Sequence, residues 1–186
     1  MSVIQHLQKN APTPAVAEAL QKIGQNIGGK QEIDTVCMGV PGYVPAQTYD
    51  NVQPLQDGQV TIVNYVTQSE ANAGHYGHWI CIDNRPKGSI LYLDPYGLKP
   101  DSARSALHLA GGTNLKQKLN ASKGNKMLFI NKTQYQDLVP HDDACGAWCS
   151  LFVTDPYDPS KEIYRSVPPS AFRDLQLEQQ LKGGSK

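Results

Sequence analysis

Net charge of either sign is missing from this sequence: 17 Lys and Arg stand against 17 Asp and Glu. Such a balance gives no electrostatic grip on a phosphate backbone or an acidic lipid surface, which argues against either as the main target. Long hydrophobic runs are missing too, since no apolar stretch approaches the roughly 20 residues that span a bilayer. Residues 1–9 carry neither a basic n-region nor an apolar h-region, so no secretory leader is expected. Cysteine is scarce, at 4 in 186 residues, and a chain of that length builds a core without staples. Reduced thiols are therefore expected. Cys145 and Cys149 are spaced like paired metal ligands, but His75 and His78 form the only other close pair. A structural metal is not expected, and neither is a cofactor. What is left is one soluble α+β domain over residues 1–186.

Periodicity and punctuation divide the chain. Residues 1–30 read as N-terminal helices, with apolar stripes at Val3, Ile4 and Leu7 and at Val16, Leu20, Ile23 and Ile27. Pro12 and Pro14 separate the stripes, and Gly28-Gly29 closes the second. Residues 33–58 read as a loop-rich connection because Pro41, Gly42, Pro45 and Pro54 interrupt it. The β-branched stretch 59–66 and the run 126–131 read as strands, and 101–119 as patchily helical. Residues 144–153 are an apolar run of helical length, with Asp142 or Asp143 as N-cap. Residues 160–186 form a helical tail, with one amphipathic segment over 171–181.

The most informative stretch is 74–97. Two apolar segments, 78–82 and 90–94, flank turn residues Asn84, Arg85, Pro86, Lys87 and Gly88, which predicts a β-hairpin. Both segments are apolar on both faces, so the hairpin should be central and covered. Pairing Ile82 with Ile90 places His78 opposite Asp94 at the mouth of the sheet.

Chemistry enters through Cys145. A cysteine in the first turn of a helix sits at the positive end of the helix dipole, which favours thiolate. With His78 to take the proton and Asp94 to orient the imidazole, the parts of a thiol nucleophile are present. Gly146 lets a substrate approach closely, and the side-chain amide of Gln136 or Gln134 would donate to an oxyanion beside the Cys145 N–H. Each residue also has an ordinary reading: Cys145 as a small core hydrophobe, His78 as a satisfied core histidine, Asp94 as a turn former, Gln136 as a loop residue. His75 and His141 are alternative histidines by position.

Gly77-His78-Trp79, Leu93-Asp94-Pro95-Tyr96-Gly97 and Ala144-Cys145-Gly146-Ala147-Trp148-Cys149, in that order, resemble the adenain family, the adenovirus maturation cysteine proteases. They resemble more distantly the SUMO and ubiquitin-like deconjugating proteases of the same fold. Val40-Pro41-Gly42-Tyr43-Val44 is similar to a segment that the adenain family carries before its histidine, and the resemblance spans about residues 37–153. It implies a papain-like, adenain-like fold: a central mixed sheet with the nucleophile at a helix N-terminus. It also implies Cys145 as nucleophile, His78 as general base and acid, Asp94 as its orienter and Gln136 as oxyanion donor, with Trp79 and Gly146 beside the substrate. The family's glutamine stands closer to its cysteine than Gln136 or Gln134 does here. Met127 occupies the position of the family's peptide-linking cysteine. A DNA requirement is not expected, and an activating peptide is left open.

The function expected from the resemblance is cleavage of viral capsid or core precursors at glycine-containing sites during virion maturation. The source would be an adenovirus-related DNA virus or virus-like element. The enzyme would act as a monomer in the virion and infected cell, not secreted. An isopeptidase acting after Gly-Gly on ubiquitin-like proteins is the enzymatic alternative. A binding protein with a dead site is the other. Leu181-Lys182-Gly183-Gly184 before Ser185, and Leu109-Ala110-Gly111-Gly112 before Thr113, fit the family's cleavage taste and raise self-processing.

Overall fold

A computed structural model describes residues 29–74, 77–102, 115–137, 144–166 and 170–183, together with Lys9, Pro14, Glu18, Gln21 and Ile23. Its centre is a five-stranded mixed sheet in the order β1-β2-β3-β4-β5. The strands are β1 (Tyr43–Thr48), β2 (Val60–Asn64), β3 (Trp79–Asp83), β4 (Ser89–Leu93) and β5 (Met127–Ile130). The two outer pairs run parallel and the two inner pairs antiparallel. The described helices are α1 (Lys30–Cys37), α2 (Gln68–Asn72), α3 (Leu115–Lys123), α4 (Cys145–Thr154), α5 (Glu162–Ser166) and α6 (Ala171–Gly183). The class is α+β.

Both faces of the hairpin are covered, as its two-sided apolar pattern requires. One face carries Ile62, Cys81, Leu91 and Leu93 against α4, with Trp148, Phe152 and Phe172 filling the layer. The other carries Ile80, Ile82, Ile90 and Tyr92 against Leu115 and Leu119 of α3. Helix α4 is buried from Cys145 to Val153, which is the placement of a helix apolar on every side. Its far end is closed by Arg85. The Nη1 and Nη2 groups donate to the carbonyls of Val153 (2.8 Å) and Phe152 (3.0 Å), while Asp83 holds the same guanidinium from Nε and Nη2. Carbonyls that no helical N–H can reach thereby gain a charged donor.

Several expectations are corrected. The stretch 33–58 contains α1 and β1 rather than loop alone. Gly29 is the N-cap of α1, and Pro45 sits in an edge strand, where a missing N–H is tolerated. Helix α4 is preceded by Ala144 at its N-cap; Asp142 and Asp143 lie outside the described residues. Hairpin pairing is Cys81↔Leu93, Ile82↔Tyr92 and Asp83↔Leu91, two residues from the expected register. The slip leaves every side chain on its expected face because the side-chain period is two. The stretch expected as a helical tail, 160–186, contains α5 and α6, and its Ile163, Tyr164, Ala171 and Phe172 enter the same core as α4. In the N-terminal segment the described residues are helical and Ile23 is buried. Leu181, Lys182 and Gly183 lie in α6; Gly184, Ser185 and residues 109–113 lie outside the described residues. All four cysteines are free thiols, and among the described residues no helix is long and apolar enough to cross a membrane.

Candidate active site

An antiparallel hairpin brings the residue before its first strand and the residue after its second to the same end of the sheet. His78 precedes β3 and Asp94 follows β4. His78 Nε2 donates to Asp94 Oδ1 at 2.6 Å, and both side chains are buried. Continued outward, the observed register sets His78 opposite Tyr96, and their rings stack at 4.3 Å between centroids and 18° between planes. The carboxylate therefore reaches the imidazole from the neighbouring rung rather than from directly across.

With Nε2 committed to Asp94, Nδ1 is the ring nitrogen that remains for a sulfur, and Cys145 is near enough to help raise the His78 pKa. Burial pushes the His78 pKa down; the Asp94 charge and hydrogen bond, with smaller effects from Cys145, outweigh it and hold the group at about 9. At neutral pH the imidazole is protonated and can hand a proton onward. Cys145 opens α4 in its first turn, where backbone N–H groups lack i−4 partners. It keeps 8% of its surface exposed, whereas Cys37, Cys81 and Cys149 keep none. Burial drives Cys37 up to about 12 and raises Cys81 and Cys149 well above the ordinary thiol range.

Asp94 is held from several sides. Its Oδ1 also accepts the Tyr96 N–H at 2.8 Å. Its own N–H and carbonyl both bond to the side chain of Asn131, at 2.7 and 2.8 Å. Gly97, at φ +71°, closes the turn onto the Asp94 carbonyl at 2.8 Å. A β-carbon at Gly97 would stand 2.8 Å from the Lys132 carbonyl oxygen, so this crossing needs glycine for space as well as dihedral.

The two glutamines separate cleanly. Gln134 is exposed, and its side-chain amide donates to the Gln136 carbonyl at 2.9 Å. Gln136 is fully buried, and its N–H donates to the Pro95 carbonyl at 2.9 Å, one residue from Asp94. Of the expected substrate-facing residues, Gly146 is buried in the first turn of α4, and Trp79 packs in the same apolar cluster as Cys145. His75 and His141 lie outside the described residues. Among the described residues no cluster of His, Cys, Asp and Glu is arranged to hold a metal.

No family model matches this chain, and no curated protein matches it. The site therefore stands on its own geometry. Sequence reasoning missed Tyr96, Asn131 and Arg85. Tyr96 was legible only through the register, because its stacking partner is defined by which residue faces His78. Asn131 bonds to backbone and Arg85 divides between backbone carbonyls and Asp83, long-range contacts for which sequence patterns carry little signal.

Proposed function

We propose that the protein is a cysteine peptidase with an adenain-like, papain-like fold, using Cys145, His78 and Asp94. The observation that carries this reading is the buried His78–Asp94 pair, with the Cys145 thiol that opens α4 near enough to help raise the His78 pKa. In the reaction the Cys145 sulfur attacks a peptide carbonyl carbon, and a tetrahedral oxyanion forms. The Cys145 N–H and the Gln136 amide are the proposed donors to it. The amine departs with the proton from His78 Nδ1, leaving a thioester on Cys145. Water then gives its proton to His78 and attacks the thioester, releasing the acid and returning the Cys145 sulfur and the His78 proton to their starting places. Asp94 accepts from the ring throughout, fixing its orientation and stabilising its positive charge.

Restricted access to Cys145 and His78 supports a preference for glycine around the scissile bond, since larger side chains would clash with the approach. The setting of virion maturation, with capsid or core precursors as substrates in the virion and infected cell, follows from the sequence resemblance. An activating peptide would find β5 at the edge of the sheet formed by the described residues, where Met127 and Phe129 are exposed. The test is a panel of peptides with and without glycine at the cleaved bond, offered beside ubiquitin and SUMO fusions. Cleavage after glycine by the wild type, lost in Cys145→Ala and His78→Ala, supports the reading. Processing of the fusions alone would replace it with the isopeptidase, and no cleavage of any substrate would refute it.

A further inference from the structure

Asp94 is the first residue beyond β4, where the β4·β5 ladder has ended at Tyr92↔Ile130, and the next residue is proline. Buried backbone groups must still find partners there. Both groups of Asp94 find one side chain: Asp94 N–H donates to Asn131 Oδ1 at 2.7 Å, and Asn131 Nδ2 donates to the Asp94 carbonyl at 2.8 Å. An asparagine amide has the donor and acceptor of a peptide group, so the buried Asn131 side chain acts as one more rung of β5. The same Nδ2 donates to the Thr133 carbonyl at 3.0 Å, which bends the chain back. The N–H groups of Tyr135 and Gln136 then both donate to the Pro95 carbonyl, at 2.7 and 2.9 Å. Residues 131–136 are thus bonded to Asp94 at one end and to Pro95 at the other.

We propose that Asn131 is a positioning residue of this site: it fixes the backbone of Asp94 so that the carboxylate meets His78, and through the segment it begins it sets Gln136. Its kinetic consequence rests on the peptidase reading; its effect on His78 does not. The Asp94 carboxylate is one methylene from the backbone Asn131 grips. Loss of the grip misplaces it by the small distance that breaks a short hydrogen bond and costs up to about a hundredfold in rate. Asn84 is the natural control. It is equally buried and also bridges segments, donating to the Leu55 carbonyl at 3.3 Å and accepting Lys126 Nζ at 2.9 Å, but it lies at the opposite end of β3.

The experiment compares Asn131→Ala with Asn84→Ala, both below their unfolding midpoints, by peptide cleavage kinetics and by NMR titration of the His78 ring. Asn131→Ala should lower kcat about ten- to a hundredfold with KM within about threefold, and should lower the His78 titration midpoint by about 1 or more. Asn84→Ala should match the wild type in both. If Asn131→Ala does not fold, Asn131→Ser carries the comparison, since its short hydroxyl cannot span both backbone groups of Asp94 and adds no charge near His78. Equal behaviour of the two sites in rate and titration overturns the proposal. A His78 midpoint moved only at Asn131, in a protein that cleaves nothing, upholds the clamp and refutes the peptidase.

Discussion

Tyr96 lies flat against His78, with ring centroids 4.3 Å apart and planes 18° from parallel. The tyrosine also gives its N–H to the carboxylate that binds the same imidazole. Ring and carboxylate together leave the imidazole one orientation. Tyr96→Ala should therefore reduce kcat about tenfold or more, whereas Tyr96→Phe, which keeps the stacking face, should stay near wild type. Steady-state kinetics on a glycine-containing peptide decide this, and equal activity in all three proteins would remove the ring from the mechanism.

The raised pKa of His78 ties pH to stability and, in the proposed mechanism, to activity. Its folded pKa, about 9, lies above the ordinary 6.5, so its stabilising effect is complete below 6.5 and is lost as pH rises through about 9. Thermal midpoints should fall across that window in the wild type and less so in His78→Gln. Cleavage should lose its alkaline limb near the same pH, because the departing amine then lacks its proton donor. In Asp94→Asn the carboxylate charge is gone and burial remains, so the limb should move to lower pH.

Thiol chemistry should distinguish the four cysteines without any substrate. Cys145 alone retains solvent access; Cys37, Cys81 and Cys149 are fully buried with raised pKa values. Iodoacetamide at neutral pH should label Cys145 first, and native Cys145→Ala should take up almost none. Peptide mapping showing another cysteine labelled as fast would contradict the geometry.

Arg85 ties the hairpin turn to the far end of α4. Arg85→Ala strips two buried helix-end carbonyls of their donor and leaves Asp83 buried without its partner, a loss of about 2–4 kcal/mol. Arg85→Lys should recover little of it, because an ammonium cannot serve both carbonyls and both carboxylate oxygens in one plane. Urea unfolding midpoints measure the difference.

How much of this was legible in the sequence depends on what each residue bonds to. The hairpin and α4 stood out because their side chains are buried on all sides, and burial writes itself into composition. The His78–Asp94 meeting survived a register displaced by two residues, since parity alone keeps both on one face. By contrast, α1 buries only Ile33 and Cys37 and β1 is a proline-bearing edge, so both read as connection. The C-terminal helices looked peripheral because Ile163-Tyr164 and Ala171-Phe172 are two short apolar pairs in otherwise polar sequence. Gln136 was already named from the sequence with Gln134 as the other possibility, and the fold adds that Gln136 is buried while Gln134 is exposed.

The central claim is that Cys145 forms a thioester with a peptide substrate. Intact-mass spectrometry of protein acid-quenched during turnover of a glycine-containing peptide tests it most directly. The account predicts an added acyl mass on Cys145 in the wild type, more of it when deacylation is slowed, and none in Cys145→Ala. Cleavage that persists in Cys145→Ala, or a wild-type protein that neither cleaves nor acquires the mass, would contradict it.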